Sequence, residues 1–529
     1  MTAKETILAG KAILGIEFGS TRIKAVLIDE ENKPIAQGSH SWENQLVDGL
    51  WTYSIERIWF GLQDCYADLR HDVEAKYDCA IENLAAIGIS AMMHGYMAFN
   101  EREEILVPFR TWRNTNTGAA AAELSELFNY NIPLRWSISH LYQCILNGDE
   151  HVKDIKFQTT LAGYIHWQLT GEKVLGVGDA SGMIPVDPAT QDYDQTMVDK
   201  FDQLIEPKGY DWKLRDIFPK VLVAGKKAGC LTAAGAAKLD ISGKLKPGCP
   251  LCPPEGDAGT GMAATNAVKQ RTGNVSAGTS SFSMIVLEKP LSKPYEMLDM
   301  VTTPDGSLVA MVHCNNCTSD INAWVKILNE YAELLGVKQT PMELYTRLFQ
   351  LAETGDPDCG GLISYNYISG EPVTGMMDGR PMVIRSANDK FTLANFMRAH
   401  LYGAIGALKF GNDILFKEEG VQVDRITGHG GYFTTPIVGQ KMLAAALNSP
   451  ISVMETAGEG GAWGIALLAG YAIANKGMSL PDYLDMVVFA GNTGSSVDPD
   501  PADVEGFNKY IKTYMACIPA QQAAVDTKK

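Results

Sequence analysis

Two glycine turns between apolar runs contain the residue types that bind phosphate. The run AILGIEFGSTRIKAVLI contains Gly19-Ser20-Thr21, and the run TGNVSAGTSSFSMIVL contains Gly278-Thr279-Ser280. Glycine lets the backbone approach an anion and point consecutive N–H groups at its oxygens. The serine and threonine hydroxyls add further donors. Two such turns in one chain favour a triphosphate as the ligand.

A third glycine turn lies in the run RITGHGGYF, which carries Gly428, Gly430 and Gly431. Taken singly, each of the three turns is also typical of a tight connection between core strands. Their combination in one chain is what favours nucleotide binding.

Two cysteine pairs, Cys249/Cys252 and Cys314/Cys317, have the spacing of a zinc half-site. Each pair lies in or beside an apolar run, where a free cysteine behaves as a small buried hydrophobe. The ten cysteines are scattered over 529 residues, which fits reduced thiols better than a disulfide framework. We therefore expect buried thiols rather than a zinc or redox site.

The elements that must position these turns alternate between β and α patterns. The first phosphate turn joins two strand-like runs, and a helical period then extends from about Ile55 to Leu84. A buried-strand run, LAAIGISAM, follows and ends at Met93-His94-Gly95. Continued alternation of strands and helices predicts an α/β fold with a mixed sheet.

The two hairpin runs are of one type and lie about 260 residues apart, which predicts two similarly built halves. We place a first domain at residues 1–255 and a second at residues 256–485. Within the second, a helix is predicted from about Leu393 to Glu419, and RITGHGGYF opens a strand, turn, helix and strand. Residues 486–529 are expected to form a tail with a capping helix and a frayed end.

Composition predicts a soluble globular chain, with 46% hydrophobic and 20% charged residues. The net charge of −17 opposes broad contact with nucleic-acid phosphates. The N-terminus lacks the pattern of a signal peptide, and no run of about 18 apolar residues occurs. We expect a cytoplasmic protein with neither nucleic acid nor membrane as a partner.

The chain resembles the FGGY carbohydrate kinases of the actin, Hsp70 and hexokinase superfamily, over about residues 12 to 515. The segments that carry the resemblance are GIEFGSTRIKAVLID, ISAMMHGY, TWRNTNT, LTGEKVLGVGDASG, PEGDAGTG, VSAGTSS, ITGHGGYF and AGEGGAWGIALLAG. The resemblance implies two actin-like (ribonuclease H-like) α/β domains with a catalytic cleft between them. It also implies an ATP-dependent sugar kinase, in which domain closure aligns the sugar hydroxyl with the γ-phosphate.

The resemblance implies a role for individual residues. Asp257 matches the catalytic base, because a sugar hydroxyl that attacks the γ-phosphate must lose its proton. It also matches a sugar contact, together with Met93, His94, Trp112 and Asn114. On its own, His94 is equally typical of a histidine that pairs with nearby backbone groups at a strand end.

The implied ATP-binding set contains the three glycine turns, a lysine beside the first of them, and two further glycines on the adenine side. Its members are Gly19, Ser20, Thr21, Lys24, Gly278, Thr279, Ser280, Gly428, Gly430, Gly431, Gly460 and Gly461. The implied cofactor beside ATP is Mg²⁺, held by Glu17 and Asp257 through water. The implied partners are the sugar and ATP, and the resemblance is compatible with a homodimer.

The sequence departs from the family pattern at two carboxylate positions and diverges near residue 140 and after Glu371. Glu17 stands where the family has an aspartate, and Asn114 replaces the aspartate of a Trp-x-Asp pattern. Two substrates compete. Met93-His94-Gly95 resembles D-xylulose kinases, whereas Ala258 after the predicted base resembles L-ribulose kinases. Both sugars are ketopentoses phosphorylated on O5. A kinase for glycerol, ribitol, L-fuculose or L-rhamnulose, and an actin-like nucleotide switch without kinase activity, are the alternatives.

Overall fold

The computed structural model describes residues 1–454, 460–491 and 494–528, and the chain forms two compact units. Unit 1 comprises Met1–Val268, Met300–Val309 and Glu459–Ala490. Unit 2 comprises Lys269–Asp299, Ala310–Gly458 and Gly491–Lys529. Strands and helices alternate along the chain and the sheets are mixed, which confirms the predicted α/β class.

The strands are β1 Ile13–Phe18, β2 Arg22–Ile28, β3 Pro34–Ser41, β4 Gln45–Val47, β5 Leu50–Thr52, β6 Ala86–Ala91, β7 Met97–Phe99, β8 Phe157–Thr159, β9 Val174–Gly176, β10 Val186–Asp187, β11 Asp192–Tyr193, β12 Lys220–Leu222, β13 Glu255–Gly256, β14 Thr272–Ala277, β15 Ser281–Val286, β16 Asp299–Thr302, β17 Leu308–Cys314, β18 Ile363–Tyr365, β19 Met382–Ile384, β20 Arg425–His429, β21 Ile451–Val453 and β22 Ser495–Val497.

The α-helices are α1 Ala3–Leu8, α2 Ile55–Tyr77, α3 Gly118–Phe128, α4 Ser137–Asn147, α5 Leu161–Thr170, α6 Val177–Ala180, α7 Gln195–Ile205, α8 Leu214–Ile217, α9 Ala233–Leu239, α10 Asp257–Ala264, α11 Ser319–Leu334, α12 Pro341–Ala352, α13 Leu393–Asp413, α14 Val438–Leu447, α15 Gly460–Ala474, α16 Leu480–Tyr483, α17 Pro501–Ala516 and α18 Ile518–Asp526. No helix in the described ranges combines the length and the apolar character that a membrane span requires.

The main sheet of unit 1 has the strand order β13-β6-β1-β2-β3. Strands β1 and β2 are antiparallel and form the first predicted hairpin, whereas β1, β6 and β13 run parallel. In register, Phe18 lies beside Ala91, and Ala91 lies beside Gly256. The residues that follow these three strands therefore emerge at one edge of the sheet.

Strand β1 is covered on both faces. Leu14, Ile16 and Phe18 are fully buried in the hydrophobic core of unit 1. On the other face, Gly15 lies against helix α15, and a Cβ there would come within 2.0 Å of the Ala462 carbonyl oxygen. A glycine at this position lets the helix pack directly on the sheet.

The larger sheet has the order β16-β17-β15-β14-β20-β21-β22. Strands β14 and β15 form the second predicted hairpin, and β14 runs parallel to β20. Ser276 on β14 pairs with His429 on β20. The second phosphate turn and the third glycine turn thus follow neighbouring parallel strands in unit 2.

Several predicted boundaries differ from the structure. Helix α2 ends at Tyr77 rather than near Leu84, because Asp78 adopts a left-handed conformation that terminates the helix. The predicted helix from Leu393 to Glu419 is α13, continued by a π-turn at Ile414–Glu418. The tail is not frayed, since α18 follows α17 and buries Gln521 and Val525.

The units also divide the chain differently from the expected boundary at residue 255. Helices α10 and α15 both belong to unit 1. They pack closely, since a Cβ at Gly464 would lie 2.0 Å from the Thr260 carbonyl oxygen. The chain therefore returns to the first unit after most of the second has formed.

Candidate active site

The first phosphate turn is held from behind by aromatic side chains. The Gly19 N–H donates to the Arg22 carbonyl at 3.0 Å and closes the hairpin. Trp42 Nε1 donates to the Gly19 carbonyl at 2.7 Å, and the Tyr53 hydroxyl donates to the Ser20 carbonyl at 2.6 Å. Because these carbonyls are occupied, and the Ser20 N–H finds no acceptor in the described ranges, the turn can offer donors to an anion.

Met93 and His94 follow strand β6 at the same edge. His94 has a φ of +69° and Gly95 a φ of +95°, so the chain turns sharply after the strand. The His94 ring is buried, with Nδ1 3.2 Å from the Gly182 carbonyl oxygen, and it stacks on Trp136. A non-glycine residue held at positive φ is strained, and such strain is concentrated at functional sites.

Asp257 is the first residue of α10 and immediately follows β13. Its Oδ1 accepts a hydrogen bond of 3.1 Å from the Met93 N–H. The side chain reaches solvent, yet the surrounding protein desolvates the carboxylate and raises its pKa. The Met93 and Ala258 N–H groups and the positive charge of Arg135 oppose this rise in pKa. Asp257 is therefore both accessible and oriented for proton transfer.

Glu17 lies on β1 opposite Lys24 on β2. Burial raises the pKa of Glu17 to about 7, the negative charge of Asp257 raises it further, and Lys24 opposes the rise. Gly461, in the first turn of α15, packs on this carboxylate, and a Cβ there would lie 2.1 Å from Oε1 of Glu17. Gly461 therefore lies beside the carboxylate pair in unit 1, not beside the glycine turns of unit 2.

Two carboxylates that the sequence did not single out lie behind Asp257. Glu255 is buried and accepts from the N–H groups of Gly178 and Asp179 at 3.3 and 2.9 Å. Asp179 is also buried, and its Oδ2 accepts from the Thr160 hydroxyl at 2.6 Å. Burial raises the pKa of Glu255 to about 8 and that of Asp179 to about 7. Their charges would oppose ionisation of the acidic groups nearby.

Trp112 and Asn114 come from the predicted sugar-binding segment. Trp112 Nε1 donates to the Ser20 hydroxyl at 3.0 Å, so this residue contacts the first phosphate turn. Asn114 is buried, and its Nδ2 donates to the carbonyls of Trp51 and Thr111 at 2.8 and 3.0 Å. Both amide hydrogens are thus used within the protein, which differs from the expected direct contact with a sugar.

The second phosphate turn in unit 2 is built on the same plan. Gly278 N–H donates to the Ser280 carbonyl at 2.9 Å. The Thr318 N–H and hydroxyl donate to the Gly278 carbonyl at 2.9 and 2.7 Å, and the Cys317 N–H donates to the Thr279 carbonyl at 3.0 Å. In the part of the chain that the structure describes, the N–H groups of Thr279 and Ser280 have no protein acceptor.

The third glycine turn lies directly beside the second phosphate turn. Gly430 has a φ of +100°, and a Cβ there would lie 2.6 Å from the Ala277 carbonyl oxygen. Gly428 packs against the Phe433 ring, which leaves 2.5 Å for a Cβ. Glycine is therefore required at both positions by space, and at Gly430 also by conformation.

The predicted site residues thus form one group in each unit. Unit 1 contains Glu17, Gly19, Ser20, Thr21, Lys24, Met93, His94, Trp112, Asn114, Asp257, Gly460 and Gly461. Unit 2 contains Gly278, Thr279, Ser280, Gly428, Gly430 and Gly431. Residues 457–459 of the segment AGEGGAWG lie outside the described residues.

The donor set in unit 1 suits a hard cation. Mg²⁺ is commonly held by one or two carboxylates, with water and substrate phosphates as the other ligands. Glu17 and Asp257 supply two carboxylates close enough for one charge to raise the pKa of the other. The cysteine pairs are free buried thiols, and no group of three His, Cys, Asp or Glu side chains in the described ranges could hold a metal.

Comparison with known proteins gives two family matches. Residues 12–245 match the N-terminal domain of the FGGY family of carbohydrate kinases, and residues 273–473 match its C-terminal domain. Xylulose kinase from Lactococcus lactis is 21% identical over 523 residues, covering 95% of each chain. Structures of a xylulose kinase and a gluconate kinase from Lactobacillus acidophilus each superpose with a TM-score of 0.78 at 19% identity, covering 98% of this chain and 100% of theirs.

Proposed function

Because this chain belongs to the FGGY family of carbohydrate kinases, we propose that it transfers the γ-phosphate of ATP to the O5 hydroxyl of a ketopentose, D-xylulose or L-ribulose. The observation that carries this proposal is the oriented carboxylate of Asp257. It lies at the sheet edge that also presents the Met93-His94 turn and the first phosphate turn.

Asp257 accepts the proton of the attacking hydroxyl. Its Oδ1 is fixed by the Met93 N–H, which leaves Oδ2 for the substrate. Desolvation raises its pKa toward neutrality, which makes the carboxylate a better proton acceptor, while Arg135 keeps the ionised form accessible. Base catalysis of this kind contributes roughly 10²- to 10⁴-fold.

The two phosphate turns neutralise charge on the nucleotide. Each presents outward N–H groups and hydroxyls while its carbonyls are occupied from behind. Bound Mg²⁺, held by Glu17 and Asp257 with water, would neutralise phosphate charge in the transition state. Glu17 remains available as a ligand because Lys24 lies opposite it and favours its ionised form.

An acidic or polyol substrate is the second candidate. The superposition on a gluconate kinase is as close as that on a xylulose kinase, and Arg135 adds a positive charge near Asp257 that a carboxylate substrate could use. Glycerol, ribitol, L-fuculose and L-rhamnulose belong to the same class of alternatives.

The test is a coupled ADP-release assay with MgATP and each of D-xylulose, L-ribulose, D-ribulose, D-gluconate, ribitol, glycerol, L-fuculose and L-rhamnulose. We expect one ketopentose to give the highest kcat/KM. Stimulation by gluconate alone would favour the second candidate. Absence of stimulation by every compound would contradict the kinase assignment and favour the nucleotide-switch alternative.

A further inference from the structure

The Cys314–Cys317 segment contacts the second phosphate turn through its backbone. The Cys317 N–H donates to the Thr279 carbonyl, and the next residue, Thr318, donates twice to the Gly278 carbonyl. The Cys317 carbonyl in turn accepts from Asn366 Nδ2 at 2.8 Å. This segment therefore determines where the carbonyls of the turn can lie, and so the direction of its N–H groups.

Asn316, between the two cysteines, fixes this segment to the loop at residues 368–371. Its Oδ1 accepts from the N–H groups of Ile368 and Ser369 at 2.9 and 3.0 Å. Its Nδ2 donates to the Ser369 carbonyl at 3.2 Å and to Glu371 Oε2 at 3.1 Å. The side chain is buried, so these bonds are shielded from water.

Glu371 completes the brace from the other side. Its side chain is fully buried, and Oε2 also accepts from the Asn316 N–H at 3.2 Å. A buried carboxyl is costly unless hydrogen-bonded, and Glu371 directs its bonds at the one residue that carries the Cys317–Thr318 turn. Neither Asn316 nor Glu371 belongs to the predicted nucleotide-binding set.

We propose that Asn316 and Glu371 are positioning residues for nucleotide binding: they hold the Cys317–Thr318 backbone against Gly278 and Thr279 and so keep the turn shaped for phosphate. The inference rests on the proposed ATP-binding function of this turn. It also gives the Cys314-Asn315-Asn316-Cys317 motif a structural role that requires no metal.

The test is titration calorimetry of the full chain with MgATP in the absence of sugar. Asn316→Ala removes the brace, and Asn395→Ala is the matched control. Asn395 is another buried asparagine of unit 2, which bonds to Asp356 and Lys390 instead. We expect the Kd for ATP to rise about tenfold or more in Asn316→Ala, since several hydrogen bonds are lost, and about twofold or less in Asn395→Ala.

Two further substitution pairs separate positioning from general stability. Glu371→Gln keeps an acceptor for Asn316 and should retain the wild-type Kd, whereas Glu371→Ala should weaken ATP binding as Asn316→Ala does. If Asn316→Ala fails to fold, Thr318→Val removes one bond to Gly278, and Thr318→Ser restores its hydroxyl. Equal Kd values for Asn316→Ala and Asn395→Ala, or for Glu371→Ala and Glu371→Gln, would overturn the proposal.

The outcome is distinguishable from failure of the proposed function. Intact ATP binding without activity on any sugar would contradict the sugar-kinase assignment and leave this inference standing. Absence of ATP binding by the wild-type chain would overturn both.

Discussion

Oε1 of Glu17 occupies the space that a side chain at Gly461 would need, with only 2.1 Å between that oxygen and the Cβ position. Glu17 lies on β1, near the beginning of the chain, and Gly461 in α15, more than four hundred residues later. The Ala462 N–H donates to the same carboxylate and lowers its pKa. The start of α15 therefore shapes the carboxylate pair that we propose for Mg²⁺.

Gly461→Ala should displace Glu17 or the start of α15. Overpacking of this kind costs about 1 to 3 kcal/mol, so we expect a lower melting temperature. We also expect a higher Mg²⁺ concentration for half-maximal activity. The control is Gly118→Ala, since Gly118 begins α3 with no atom within 4 Å of its Cβ position. Equal behaviour of the two variants would contradict the packing argument.

Tyr53→Phe should weaken the first phosphate turn, because the Ser20 carbonyl loses the hydroxyl that donates to it. One lost hydrogen bond is worth about 1 kcal/mol, so kcat/KM for ATP should fall roughly two- to tenfold. Tyr77→Phe is the control, since the Tyr77 hydroxyl donates to the Ile35 carbonyl at 2.7 Å, on β3. A similar fall in both variants would point to general destabilisation instead.

Asn114→Asp should destabilise the chain, although the family carries aspartate there. The Asn114 amide donates to two carbonyls, and a carboxylate would face them without hydrogens. Leaving buried groups unsatisfied costs about 1 to 3 kcal/mol, which thermal unfolding would detect. A changed KM for sugar with an unchanged melting temperature would instead support the direct sugar contact.

The buried carboxyls make stability depend on pH. Burial raises the pKa of Glu255 to about 8 and that of Asp179 to about 7, from model values of 4.5 and 3.8. Between these limits the folded chain binds more protons than the unfolded chain, so these groups lower stability as pH rises from about 4 to 8. Glu255→Gln should flatten the decline in melting temperature over this range. An unchanged pH profile would contradict a protonated Glu255 in the folded state.

The local parts of the site were predictable from sequence. Both hairpins, at Gly19-Ser20-Thr21 and Gly278-Thr279-Ser280, join the strands that the apolar runs indicated. Turn chemistry is local, because a glycine between two β-rich runs specifies the connection whatever packs around it. The strand before Met93 and the position of Asp257 after a strand were also predicted correctly.

The long-range parts were not predictable from one sequence. Asp179 and Glu255 acquire their significance from mutual burial, which depends on how α6 and β13 meet. Gly461 was predicted to line the adenine side, but α15 packs on β1 and α10 in unit 1. Such placements are set by the tertiary packing of segments that are distant in sequence, which neither periodicity nor turn signals encode.

The most direct test of the central claim is substitution of the proposed base. Asp257→Asn preserves the shape of the side chain and an acceptor for the Met93 N–H but cannot take up the substrate proton. With the best sugar from the assay panel, kcat should fall roughly 10²- to 10⁴-fold, while the Kd for ATP measured by calorimetry stays near the wild-type value. Near-normal turnover by Asp257→Asn would contradict the account.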